Sequence, residues 1–340
     1  MKKNLLSKNI HQWLLLLVCF VATLPSWAED YTEDGIIYDI NTSTNTATVK
    51  GVKDRSATSA EIRNRVVGCE VTSIGVYAFR GCSSLTSINI PSSVTSIGNY
   101  AFSDCSSLTS INIPSSVTSI GEEAFWACTS LTALTVDENN PKYSAEGCML
   151  FNKERTTLFC AVGSQKTYDI PSSVTSIGRQ AFTSTGLTSI NIPSSVNSIE
   201  EYAFTGCSSL TSVNIPSSVT SIGRNAFTNC LSLTSINIPS SVTSIGPFAF
   251  EYCHSLTSIN IPSSVTSIEP YTFSGCSALT SINIPSSVTS IGVGAFERCS
   301  ALTSINIPSS VTSIEGRAFS GCIYNHRTTK TNQKYPSVNL

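Results

Sequence analysis

Charge is scarce in this sequence. Charged residues make up 12% of its 340 residues and the net charge is −2, where a share of about 25% is usual. No basic patch and no interleaving of aromatic with basic residues occurs, which argues against nucleic acid as a partner. Histidine is nearly absent, with only His11, His254 and His326, and none has the recurring partner that catalysis needs. There is no GxSxG, no phosphate loop, no HExxH and no CxxC, so the usual nucleophile, nucleotide and metal motifs are missing. No cofactor and no enzymatic activity is therefore expected. With so few charges, the outside must be built from Ser, Thr and Asn: hydrated, but electrostatically quiet.

Long apolar runs are also lacking, with one exception. Lys2, Lys3 and Lys8 precede an apolar stretch from Trp13 to Leu24, and Ser26-Trp27-Ala28 supplies small residues at the −3 and −1 positions of a cleavage site. The stretch is well short of the ~20 residues of a transmembrane helix. Cys19 follows Val18, where lipidation would need a small residue, and the apolar run continues past it. Residues 1–28 are thus expected to be a signal peptide cut after Ala28. The protein would be secreted or held at the cell surface, with no membrane-spanning segment after signal removal.

What the chain does contain is a beat. Ten phenylalanines recur at positions 79, 102, 125, 182, 204, 227, 250, 273, 296 and 319, spaced by 23 residues except for one gap of 57 and one of 22. Around each lies nearly the same phrase, LTSINIPSSVTSIGxxAFxxCSS. A period of this length is the signature of a solenoid, in which no coil can bury its apolar face alone. In residues 85–107 the apolar positions are Leu85, Ile88, Ile90, Val94, Ile97, Ala101, Phe102 and Cys105. Ile88-Asn89-Ile90 alternates with the period of a strand, and Pro91 ends it. Val94 to Ile97 is a second short extended piece. After Gly98 one helical turn is expected, because Pro247 and Pro270 occupy its first position in other coils. The residue before that turn is usually Gly but becomes Glu200, Glu269 and Glu315, so a positive φ is not expected there and glycine reads as permissive. Ten coils at about 4.8 Å each, with the irregular segment, would give a rod of about 50–60 Å.

The pattern L-x-x-I-x-I-P followed by V-x-x-I-G-x-x-A-F-x-x-C, across residues 71–322, resembles the leucine-rich repeats of BspA-like surface proteins. The resemblance implies a β-rich solenoid with short strands and one helical turn per coil. It also implies a surface protein that binds matrix proteins or other cells. Residues 29–70 would be an N-terminal β-hairpin cap, with IIYDIN and TATVK (from Ile36 and Thr46) flanking a polar turn. Repeats fill 71–130 and 171–322. Residues 131–170 break the beat: Asn139-Asn140-Pro141 makes a turn, and CMLF and TTLFCAV flank Asn-Lys-Glu-Arg as a second hairpin. Residues 323–340 are polar; a tail and a solenoid end lacking its cap both remain open.

Nine cysteines share one repeat position: Cys82, Cys105, Cys128, Cys207, Cys230, Cys253, Cys276, Cys299 and Cys322. Stacked in register, they would point the same way at coil spacing, whereas a disulfide wants Cβ atoms about 3.8 Å apart and facing. They read as a ladder of buried free thiols. Cysteines on a line cannot make a tetrahedral metal site. Cys148 and Cys160 could bridge across the second hairpin. Glu122-Glu123 and Glu200-Glu201 read as charges complementing the start of a helical turn.

Binding is expected on the outward strand positions. Ser87 with Asn89, and then Asn112, Asn191, Asn214, Asn237, Asn260, Asn283 and Asn306 with their own serines, form a uniform polar ladder. A bland reading has these side chains hydrogen-bonding one another; a functional one makes them a multivalent surface. Variety is confined to the turns, where Trp126, Phe248 and Tyr252 are expected as exposed aromatic anchors. The function expected is a non-enzymatic adhesin or host-interaction protein for an extracellular protein, matrix or cell-surface ligand. The alternative is a structural or decoy coat spacer with little affinity.

Overall fold

A computed structural model describes residues 30–323. The signal peptide expected at residues 1–28 and the polar residues beyond Ile323 lie outside the described residues. The chain winds into a solenoid of about 12 turns of ~23 residues. Most regular coils carry two short strands. The first is Ser-Ile-Asn, as in Ser189–Asn191, Ser212–Asn214 and Ser235–Asn237. The second is Ser-Ile, as in Ser198–Ile199 and Ser221–Ile222. Both pair parallel with the equivalent residues of the next coil: Ser189 with Ser212 and then Ser235, Ile199 with Ile222 and then Ile245. The isoleucines go inward; the Ser and Asn of the first strand stay exposed, while Ser198 and Ser221 of the second are half-buried. A slip of one residue would exchange the two sets, so the alternation fixes the register.

Between the strands Pro-Ser-Ser-Val closes a β-turn, with the Val219 N–H donating to the Pro216 carbonyl at 3.0 Å. Many hydroxyls turn out to fasten one coil to the last. Ser241 Oγ donates to the Val219 carbonyl at 2.7 Å and Thr234 Oγ1 to the Thr211 carbonyl at 3.2 Å. Part of the Ser/Thr richness thus fastens coil to coil as well as facing solvent.

The expected helical turn is absent. Residues two before and two after every repeat phenylalanine have positive φ, for example Tyr202 (60°) and Gly206 (72°) around Phe204, or Phe248 (60°) and Tyr252 (58°) around Phe250. Left-handed residues cannot continue a right-handed helix. Backbone donors here alternate in direction. Tyr202, Phe204 and Gly206 each donate to the next coil at 2.8 Å, to the carbonyls of Arg224, Ala226 and Thr228. Thr205 and Cys207 donate within their own coil, to Tyr202 at 3.0 Å and Phe204 at 3.1 Å. The turns therefore form a third ladder along the solenoid. The proline signal was real but meant something else: the N–H of the equivalent Asn99 and Arg224 has no partner among the described residues, so proline loses nothing there.

Gly98 has no positive φ, yet it is not merely permissive. A Cβ there would lie 2.6 Å from the Val76 nitrogen and 2.8 Å from the Gly75 carbonyl carbon. Adjacent coils touch backbone to backbone at this corner. Glu200, Glu269 and Glu315 each follow a coil with glycine at this place (Gly178, Gly246, Gly292), so two side chains never stack there.

The core is a column. Phe182 to Phe319 stack ring on ring, with centroids 5.0–5.7 Å apart and planes within 12°. Offset stacking at this distance adds to the area buried. A shorter column, Phe79–Phe102–Phe125, precedes it. Between the two lie three antiparallel strands, Tyr143–Glu146, Met149–Asn152 and Thr157–Ala161. Asn140 organises the departure from the beat. Fully buried, its amide donates to the Pro114 and Val117 carbonyls, and its oxygen accepts from the N–H groups of Lys142 and Tyr143, all at 2.8–2.9 Å. The buried core splits here into two clusters, one reaching Phe125, Leu150 and Val162, the other starting at Met149, Phe151 and Phe182. At the N-terminal edge, Ile36–Asn41 and Thr46–Val52 form an antiparallel hairpin, and the latter pairs parallel with Cys69–Ile74.

Candidate interaction surfaces

Strand alternation places the whole Asn column, from Asn89 to Asn306, in solvent, together with its companion serines from Ser87 to Ser304. The parallel register sets like beside like, as in Asn191, Asn214 and Asn237. The asparagines do not bond one another. Among the described residues only Asn112 has a side-chain partner, its Oδ1 accepting from Thr135 Oγ1 at 2.9 Å. Every other amide in the column offers both its donors and its acceptor outward.

The turn face differs from expectation. Trp126, Phe248 and Tyr252 are half-buried rather than exposed. Phe248 stacks on Tyr271 at 5.0 Å, with the Arg224 guanidinium 5.0 Å above its ring. Tyr252 lies 5.8 Å from the exposed His254 ring, whose Nδ1 is 2.9 Å from the Gly275 carbonyl. Sequence reading missed that Phe248 belongs to a row. Tyr77, Tyr100, Tyr202 and Tyr271 hold the same place, two before the repeat phenylalanine, and Arg80 and Arg179 sit over Tyr77 and Tyr202. The recurrence of aromatics two residues before the beat was the available signal.

The paired acids also act differently, since there is no helix to complement. Glu200 reaches back to the preceding coil, accepting from Ser176 Oγ at 2.6 Å and the Arg179 N–H at 3.1 Å. Glu122 faces Arg179 Nη1 at 3.5 Å, and Gln180 Nε2 donates to Glu123 at 2.5 Å.

Eight of the nine repeat cysteines are buried and Cys322 is half-buried; all are free thiols. Burial pushes the thiols up, Cys105 and Cys276 to about 12 and Cys207 to about 11. These are poor nucleophiles. Thr185 takes the place in the coil that lacks the cysteine. Cys148 and Cys160 are not bridged: the Cys148 thiol donates to the Thr132 carbonyl at 3.0 Å. No group of three or more His, Cys, Asp or Glu that could hold a metal exists among the described residues, and no helix among them is long and apolar enough to cross a membrane.

Comparison with known proteins agrees with this geometry. The family model for the BspA type leucine rich repeat region matches residues 56–152, 155–276 and 198–326, in six copies. Among solved structures, a leucine-rich repeat protein from Eubacterium ventriosum is 27% identical with a TM-score of 0.64, over 89% of this chain and 98% of that one. A leucine rich cell surface protein from Faecalibacterium prausnitzii is 30% identical with a TM-score of 0.52, over 91% and 97%. The pneumococcal vaccine antigen PcpA shares the fold at 17% identity and a TM-score of 0.51, over 88% and 99%. No curated protein matches significantly.

Proposed function

The chain belongs to the BspA-type leucine-rich-repeat family, and on that premise we propose that it is a non-enzymatic, protein-binding solenoid at the cell surface or secreted, acting as an adhesin or host-interaction protein. One observation carries the reading: an in-register column of exposed asparagines whose amides bond neither one another nor, Asn112 apart, any other side chain. A flat row of identical donors and acceptors gives each contact little affinity. Many such contacts to a repetitive partner add through effective concentration. The ligand is an extracellular protein, matrix component or cell-surface molecule. The cell-surface description of the Faecalibacterium relative supports the location.

Titration of the protein over immobilised matrix proteins, whole cells and glycans tests this. Saturable binding is expected, weakened by the triple change Asn237→Ala, Asn260→Ala and Asn283→Ala without loss of melting temperature. A chain lacking residues 233–278, two coils removed in register, should lose avidity steeply. Unchanged behaviour of that shortened chain would favour a spacer, and absence of saturable binding to every target would remove the adhesin reading.

A further inference from the structure

The two phenylalanine columns do not meet, and a cavity of about 290 Å³ opens between them. Phe125, Trp126, Phe159, Cys160, Arg179 and Thr183 are among its lining residues. Among the described residues no ring stacks on the far side of Phe125; on its own side of the gap Phe182 meets Tyr168 edge-on at 5.5 Å. None of the Ser/Asn ladder lines the cavity.

The walls carry the unmatched halves of the turn ladder. In the coil before, the N–H groups of Tyr100, Phe102 and Asp104 donate to Glu122, Ala124 and Trp126 at 2.8–2.9 Å. The equivalent N–H groups of Glu123, Phe125 and Ala127 have no partner among the described residues. On the opposite wall, among the described residues, only the Ala181 carbonyl is taken, by the Ala161 N–H at 2.7 Å, while those of Arg179 and Thr183 accept from none of them. Donors on one side and acceptors on the other are the pattern that one further turn of backbone would satisfy, and backbone groups left unpaired away from water are costly. At the rim stand three carboxylates, Glu122, Glu123 and Glu200, against the single guanidinium of Arg179; Glu122 faces Arg179 at 3.5 Å and Glu123 accepts from Gln180 across the slot, contacts that an entering cation would exchange.

We propose that this slot binds an extended peptide segment of a partner protein, carrying an aromatic side chain with a basic residue three places before it, in the place the missing turn would occupy. Main-chain groups of the peptide pair with the two walls, as when a strand is added to a sheet edge. The aromatic side chain fills the gap in the ring column; a cavity at the small end of the ligand-pocket range holds one such group. The acidic rim selects that lysine or arginine. The inference is independent of the Ser/Asn face, so a failed matrix screen and a failed peptide titration are separate outcomes.

The probe is acetyl-Lys-Tyr-Ala-Phe-Thr-Gly-amide, the turn of residues 201–206 with lysine at its head. Trp126 lines the slot, and with Trp13→Phe and Trp27→Phe in the full chain it is the sole tryptophan reporter. Titration should change its emission saturably. Serine in place of the peptide's phenylalanine, or glutamate in place of its lysine, should weaken binding at least about tenfold. Cys160→Phe, which fills the slot from inside, should abolish the signal at unchanged circular dichroism. Should that variant misfold, Glu122→Gln with Glu123→Gln serves instead, weakening binding and flattening its salt dependence. No saturable change, or equal affinity for the phenylalanine and serine peptides, overturns the proposal. A dimer that Cys160→Phe dissociates would assign the slot to a second copy of the chain and overturn it too.

Discussion

The Cys230 thiol donates to the Phe204 carbonyl of the preceding coil at 3.3 Å, and that same carbonyl accepts the Cys207 N–H at 3.1 Å. The arrangement recurs: Cys105 on Phe79, Cys253 on Phe227 and Cys276 on Phe250, at 3.1–3.2 Å. A carbonyl has two lone pairs, and the turn uses one. The thiol is small enough for the core and still supplies a weak donor for the other. Each cysteine thus ties the phenylalanine of one coil to the turn of the next.

A serine at this place should consequently be tolerated. Thr185 already holds a hydroxyl there, donating to the Phe182 carbonyl at 2.9 Å. Cys230→Ser is expected to cost about 1 kcal/mol, the scale of one net hydrogen bond poorly replaced. Cys230→Ala removes both volume and donor and should cost at least as much. Denaturant titrations of the two variants decide it. A serine variant several-fold more damaging than alanine would mean that the thiol acts as bulk alone.

Thiol reactivity should run from the end of the solenoid inward. Cys322 is half-buried, its thiol donating to the Phe296 carbonyl at 3.1 Å, whereas its eight repeat equivalents are buried. Cys160 is also half-buried, but burial pushes it up to about 12. With Cys19 set aside, alkylation of native protein near neutral pH should mark Cys322 first, leave Cys160 nearly untouched, and reach the others only after unfolding. Peptide mapping by mass spectrometry reads the order. Early labelling of Cys230 or Cys253 would contradict a closed core.

Much of this was legible because repetition amplifies it. Ile88 beside Asn89 names the inward and outward faces, and seven further coils say the same, with Val213 for Ile in one. The phenylalanine beat announces a stacked column, and the 57-residue gap announces its interruption. The handedness of the turns was not legible. The residue two before the beat is aromatic in five coils and Glu, Gln, Asn, Gly or Arg in the others, and nothing in that set marks a left-handed position. In most turns its positive φ goes with a hydrogen bond to the next coil, as at Tyr202 and Asn225, and a single coil's sequence does not contain that partner. Proline at 247 and 270 then imitated a helix start. The slot was hidden for the same reason, since it is made of backbone groups whose partners are missing from a neighbouring coil.

Left-handed positions make a paired test. Ala127 has φ of 56° and no side chain beyond Cβ to lose. Ala127→Gly relieves a strain of about 1–2 kcal/mol, offset by the greater freedom of glycine in the unfolded chain, so a net gain of about 0.5 kcal/mol is expected. Gly275 (φ 73°) is the reverse case, because an added Cβ would lie 2.4 Å from Tyr252 Cδ1. Gly275→Ala should cost about 1–3 kcal/mol through overpacking, and Tyr252→Ala in the same chain should recover part of it. Additive losses in that double-mutant cycle would show that the ring is not the obstacle.

Alkali should loosen the solenoid through its thiols. In the folded protein Cys105 and Cys276 are raised to about 12 and Cys207 to about 11, each by burial, from an ordinary value of 9.0. Above that ordinary value the unfolded chain releases these protons while the folded one keeps them, so the unfolded state binds fewer protons and stability falls as pH rises. The contribution is complete below pH 9 and is lost between there and about 12. Each thiol removes at most ~1.4 kcal/mol per pH unit in that window. Urea midpoints measured from pH 7 to 11 should be level at first and then drop. Replacing the three cysteines by valine should lower stability at pH 7 but make the alkaline fall shallower. If parent and variant decline with the same slope, the buried thiols are not the groups that titrate.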